Sequence, residues 1–126
     1  MKKLLILLLL STSFSAIAEW TYISSNTSKH EFYVDFDRIK KQDGNVHFWV
    51  LINLTKLDKF GDFSNIGKTQ SDCIQMGYRD MSVYYYSAPM GTGKINARNY
   101  EPSGWKYPPP NSIMETVLES VCDYVN

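Results

Sequence analysis

The sequence is poor in the residues that most often announce chemistry. It holds two histidines and two cysteines in 126 residues. His30 and His47 sit 17 positions apart with no H-x-H or H-x-x-x-H pair, so metal spacing is missing. No Cys-x-x-Cys and no G-x-S-x-G elbow occurs, which removes the usual marks of redox exchange and of a serine hydrolase. Gly91-Thr92-Gly93-Lys94 fails as a phosphate loop, because Ile95 follows the lysine and the glycines are too close together. Asp35 and Asp37 flank a strand end beside Arg38 and read as turn residues rather than a catalytic carboxylate pair. No catalytic, metal or cofactor-binding residues are therefore expected, and the chain is not expected to be an enzyme.

Charge of one sign is also lacking, with 13 Lys and Arg against 13 Asp and Glu. A molecule with so little net charge has no overall field for a polyanion, so nucleic acid is not an expected partner. Long hydrophobic runs are confined to the start. Met1-Lys2-Lys3 is basic, Leu4 to Leu10 is unbroken apolar sequence, and Ala16-Ile17-Ala18 supplies an A-x-A cleavage site. That is the layout of a cleaved signal peptide over residues 1–18. The apolar run is about half the ~20 residues that a spanning helix needs. Cleavage would leave Glu19 first, with 11 bases against 13 acids. The product is expected in the periplasm or outside the cell. A lipid anchor is not expected, since no cysteine stands at the cut.

Residues 19–126 suffice for a single domain. Cys73 and Cys122, in an oxidising compartment, read as one structural disulfide. Aromatic residues make up 14% of the chain, which suits a β-rich domain. Strands are expected at Glu19–Ser24, His30–Asp35, Val46–Thr55, Thr69–Met76 and Tyr78–Ser87, with a short one near Ile95. In the third, Val46, Phe48, Val50, Ile52 and Leu54 share an apolar face that should meet the core. Residues 56–68 and 88–107 read as long loops.

Pro108-Pro109-Pro110 precedes the clearest helix signal. Ser112-Ile113-Met114-Glu115 fits a capping box, and Met114, Leu118, Val121, Cys122 and Val125 form one stripe. Cys122 on that stripe points at the sheet, where Cys73 can meet it. The expected fold class is α+β: a meandering antiparallel β-sheet of about five or six strands, with one C-terminal α-helix packed on one face and tethered by the disulfide.

If the helix covers one face, the other presents His47, Trp49 and Leu51, with Tyr84 and Tyr86 on a neighbouring strand. These five form a candidate binding or dimer face on a small exported domain. Three readings stay open: a protein-binding domain, a periplasmic accessory or inhibitor-like domain that meets a bacterial partner, and a small-ligand carrier, for haem, built on His47, Trp49 and Tyr84.

Taken in order, the motifs resemble the surface-adhesin protein E family of exported bacterial proteins. The matching residues are Trp20, Tyr33-Val34-Asp35, Arg38-Ile39, Asp43-Gly44-Asn45, Val46, Trp49, Leu51, Cys73 and Arg79. Ser87-Ala88-Pro89-Met90-Gly91-Thr92-Gly93 is the most distinctive stretch. Trp105, Pro110, Ser112 and Val121-Cys122 complete the series. The resemblance implies an antiparallel sheet with a helix tethered through Cys73–Cys122. It also implies an adhesin role, with homodimerisation and binding to host matrix proteins, and it maps no ligand-contact residue.

Overall fold

The computed structural model describes residues 19–96 and 101–126. The expected leader lies outside the described residues. The described residues form seven strands: β1 Thr21–Ser25, β2 Glu31–Val34, β3 Lys40–Gln42, β4 Asn45–Asn53, β5 Ser64–Asp72, β6 Gly77–Ala88 and β7 Thr92–Asn96. Among these residues one α-helix, α1 Ile113–Val125, follows the strands. The strands run in the order β1-β2-β4-β5-β6-β7, and every pairing is antiparallel. The short β3 pairs with the start of β4, and β2 pairs with its end. Both therefore lie along one edge of β4, joined by a 3-10 turn at Phe36–Arg38.

That corner is made by the aspartates. Asp35 caps the turn, its Oδ1 accepting from the Asp37 amide at 3.1 Å. Its Oδ2 faces Arg38 Nε at 3.4 Å. Asp35 is buried, so this ion pair and the cap satisfy a carboxylate that would otherwise be costly to desolvate.

The alternation of β4 sets the core. Val46, Phe48 and Val50 are buried on the helix side together with Phe32 and Val34 of β2. Against them α1 buries Val117, Leu118, Val121 and Cys122. Met114 and Val125, at the ends of the expected stripe, are only half-buried, and Val117 joins its centre. Burying a side chain such as Leu118 contributes roughly 1.5–3 kcal/mol.

The helix is fixed at both ends. Ser112 Oγ accepts from the Glu115 amide at 3.3 Å, as the capping box requires. The reciprocal bond is displaced by one residue: Glu115 Oε1 accepts from the Asn111 amide at 3.1 Å. The Ser112 amide instead donates to the Pro109 carbonyl at 3.2 Å, because the proline run turns back on itself there. At the other end Cys122 is bonded to Cys73, with Cα atoms 5.7 Å apart. The pair is 49 residues apart in sequence, and closing such a loop in the unfolded chain gives roughly 4 kcal/mol of stabilisation in the chain-entropy model.

Three boundaries differ from the sequence expectation. Residues 56–68 are not all loop, since β5 begins at Ser64. The loop that remains is tied by Asp58 Oδ1, which accepts from the amides of Phe60 and Asp62. Strand β5 then stops at Asp72, whose side chain accepts from the amides of Ile74 and Gln75 and turns the chain. Cys73 consequently sits in that turn rather than in a strand over Thr69–Met76. Residues 88–107 likewise contain β7, and the segment near Lys106 pairs with Tyr78 through two backbone hydrogen bonds.

Replacing Ser112 by alanine removes the cap from Glu115 and should lower stability by about 1 kcal/mol. Urea unfolding of oxidised wild-type and variant protein measures it directly. A difference near zero would mean that the helix is fixed by the disulfide alone.

Candidate functional site

On an antiparallel sheet, residues paired across strands share a face. The register therefore maps the face opposite the helix row by row. Lys40, His47, Gln70 and Arg79 form one row. Trp49, Lys68 and Ser82 form the next. Tyr22, Tyr33, Leu51, Ile66 and Tyr84 follow, then Glu31, Asn53, Ser64, Tyr86 and Ile95. The face grades from basic at one end, through aromatic, to polar at the other.

The polar end is covered by the segment Ser87–Gly93. Pro89–Gly91 form a 3-10 turn that lies on β4 and β5. Ser64 Oγ donates to the Ala88 carbonyl at 2.7 Å and accepts from the Gly91 amide at 2.9 Å. Asn53 Oδ1 accepts from the Met90 amide at 2.9 Å. The two hydrogen-bonding side chains thus come from adjacent strands and pin one turn between them. Gly91 has φ +67°, and a Cβ there would stand 2.7 Å from Ile66 Cδ1. The glycine is needed both for its backbone conformation and for close approach to the sheet.

Beside this turn lies a cleft of about 690 Å³. Trp49, Ile66, Tyr84 and Tyr86 line it from the sheet, Met90 and Ile95 from the turn and β7, and Trp20, Asp35 and Arg38 close the far side. The Trp49 and Tyr84 rings lie 6.3 Å apart at 35°. Tyr84 is 45% exposed and Ile95 52% exposed, so the lining is open to a partner. Next to it runs a second groove of about 480 Å³, lined by Arg38, Lys40, Gln42, His47, Phe48, Trp49 and Lys68. Arg38 and Trp49 border both. Burial holds the His47 imidazole below its ordinary pKa, Lys68 and Arg79 push the same way, and Asp43 opposes them.

The five residues singled out from sequence divide three ways. Trp49, Tyr84 and Tyr86 are brought together in the cleft. Leu51 is not open surface: it is fully buried, with Gly91 packed close to its Cδ1. His47 lies outside the cleft, in the basic groove. Sequence reasoning passed over Ile66, Met90, Arg38, Trp20 and the Asp35 carboxylate. A signal existed for Met90, since Pro-Met-Gly-Thr-Gly is a stretch built for positive φ, which Met90 adopts at 58°. Among the described residues, no group of three or more His, Cys, Asp or Glu could hold a metal ion. Nor is any helix among them long and apolar enough to cross a membrane.

Gly91→Ala forces a Cβ into the contact with Ile66 at positive φ, and should destabilise the protein by more than about 1 kcal/mol. Thermal unfolding checks it, and an unchanged midpoint would show that the turn does not rest on the sheet. His47 makes a separate prediction. Its folded pKa lies below the unfolded value of 6.5, so below pH 6.5 the unfolded chain binds more protons. The contribution is fully present above that pH and is lost as pH falls through the folded value. Urea titrations at neutral and mildly acidic pH should show a smaller acid-side loss for His47→Gln than for wild type.

Comparison with known proteins agrees with this architecture. Crystal form II of Haemophilus influenzae protein E superposes with a TM-score of 0.66 at 16% identity, covering 83% of this chain and 90% of that one. A second structure of Haemophilus influenzae protein E gives 0.64 at 16% identity, covering 81% and 83%. Protein E from non-typeable Haemophilus influenzae gives 0.64 at 15% identity, covering 90% and 82%. At such identities the likeness is one of fold. Among curated protein sequences none matches this one. The surface-adhesin protein E family model matches residues 20–123, nearly all of the sequence after the expected leader, and the chain belongs to that family.

Proposed function

We propose that this chain is an exported, non-enzymatic adhesin-type domain that binds a protein partner through the cleft on the sheet face away from α1. The observation that carries the reading is the cleft itself. Aromatic and aliphatic side chains stand exposed there around Trp49 and Tyr84, on a rigid sheet, with the half-exposed Arg38 paired to buried Asp35 at the rim. Aromatic anchors at the centre with charged groups at the rim are the arrangement of a protein interface. Membership of an adhesin family makes extracellular matrix proteins the first partners to test.

The test uses purified oxidised protein on a panel of immobilised extracellular matrix glycoproteins. Saturable binding is expected, and Tyr84→Ser with Ile95→Ser should weaken it by about tenfold or more, as loss of central anchors does. Both side chains are exposed, so the variant should keep the fold. Binding unaffected by these changes would move the interface elsewhere. Fractionation of the native host with protease treatment of intact cells is the companion measurement. A protein sealed from protease would overturn the matrix reading in favour of a bacterial partner in the periplasm.

A further inference from the structure

The basic groove beside the cleft has its own chemistry. Lys40 on β3, His47 on β4 and Arg79 on β6 stand in one cross-strand row, with Lys68 of β5 one row away beside Trp49. Four strands at ~4.8 Å spacing give the row a reach of roughly 14 Å. Among the described residues, neither Lys40 nor Lys68 has a carboxylate partner. Arg79 is held rather than free to swing: its Nε donates to Gln70 Oε1 at 2.7 Å, and its guanidinium lies 5.2 Å from the Trp105 ring centre. Trp105 thus borders the row at its Arg79 end, and Trp49 stands one row away on β4, paired with Lys68.

We infer that this trough binds an acidic saccharide, a sulfated or uronate-bearing oligosaccharide, with anionic groups on Lys40, Lys68 and Arg79 and a sugar ring against Trp49. Charge complementarity chooses an anion. The backbone chooses its class. Here β4 and β5 are paired on both sides, and the start of β6 is paired with β5 and with the segment at Lys106. Among the described residues β4, β5 and the start of β6 thus leave no free edge beside Lys68 and Arg79, and an acidic peptide could add as a strand only on the three-residue outer edge of β3, beside Lys40 alone. Rigid cations and flat indole faces suit a stiff polyanionic sugar instead. This ligand is distinct from the cleft's protein partner.

The histidine supplies an independent readout. His47 faces Lys40, Lys68 and Arg79, with Asp43 of the β3–β4 turn opposing them. An anion placed among these cations favours the imidazolium, so binding should take up a proton and tighten as pH falls toward 6.

The probe is a heparin-derived hexasaccharide titrated into the oxidised protein by calorimetry. Saturable binding that weakens as salt rises is expected. Lys40→Gln with Lys68→Gln should weaken it by about tenfold or more. Both lysines are exposed, and circular dichroism with a free-thiol assay confirms that the variant keeps its helix and disulfide. Proton uptake, read from two buffers of different ionisation enthalpy, should vanish in His47→Gln. A polyglutamate peptide of equal charge should bind more weakly. Equal binding of the two would show a charge-only trough and overturn the saccharide assignment. No hexasaccharide binding, or binding that ignores the lysine pair, would overturn it as well.

Discussion

One helix cannot cover both faces of a seven-stranded sheet, and the rest of the molecule answers to that inequality. α1 has 13 residues and so reaches about 20 Å. It packs on β1, β2 and β4 over the apolar side of the sheet, where Phe48 and Val50 meet Leu118 and Val121. The opposite face still holds Leu51 and Ile66 at the centre of the sheet. Among the described residues no second helix covers them. The Ser87–Gly93 turn does it instead, lying flat because Gly91 admits contact with Ile66 and because Ser64 and Asn53 satisfy its amides. A cover that small shields the middle of the face and leaves its flank open. The cleft is the uncovered remainder.

How much of this is legible in the sequence depends on whether a side-chain pattern or a partner strand decides the outcome. The β4 core face is legible because Val46, Phe48, Val50 and Ile52 alternate as an unbroken apolar row, and burial follows that alternation as far as Val50. The helix and its tether are legible for the same kind of reason: a cap, a stripe and a cysteine on that stripe. Strand β5 is not. Ser-Asn-Ile-Gly-Lys-Thr-Gln-Ser-Asp has almost no apolar signal, yet Ser64, Thr69, Gln70 and Ser71 are buried. It is a strand because β4 and β6 each offer a full ladder to its backbone. Its hydroxyls bond into neighbouring structure, as Ser71 Oγ does to the Val46 carbonyl. Polar residues make a central strand when their hydrogen bonds are supplied by others, and no local pattern records that.

The site was half legible for a related reason. Alternation places Trp49, Tyr84 and Tyr86 on one face. It also places Leu51 there, but nothing local says that a turn some 40 residues later will bury it. Charge shows the same split between total and place. A near-zero balance of Lys and Arg against Asp and Glu is true of the chain and untrue of one end of its sheet. Net charge describes the field far away, whereas a ligand in a groove meets the few groups within a Debye length.

The placement of that charge rests on one extra residue. Lys68 pairs with Ser82 and Thr69 with Asp80, so Met81 is a bulge in β6. Strict alternation from Tyr84 and Ser82 would put Tyr78 on the cleft face and Arg79 on the helix side. The bulge exchanges them. Tyr78 turns to the core, where burial raises its pKa, and Arg79 turns out to join Gln70 and His47. Were Met81 paired regularly instead of bulged, Arg79 would face the helix layer, and burying an unpaired cation costs several kcal/mol. The basic row and the integrity of the core at the base of β6 are therefore one decision of the backbone. With every charge kept but Met81 paired regularly, Arg79 could not stand in the row with His47 and Lys40.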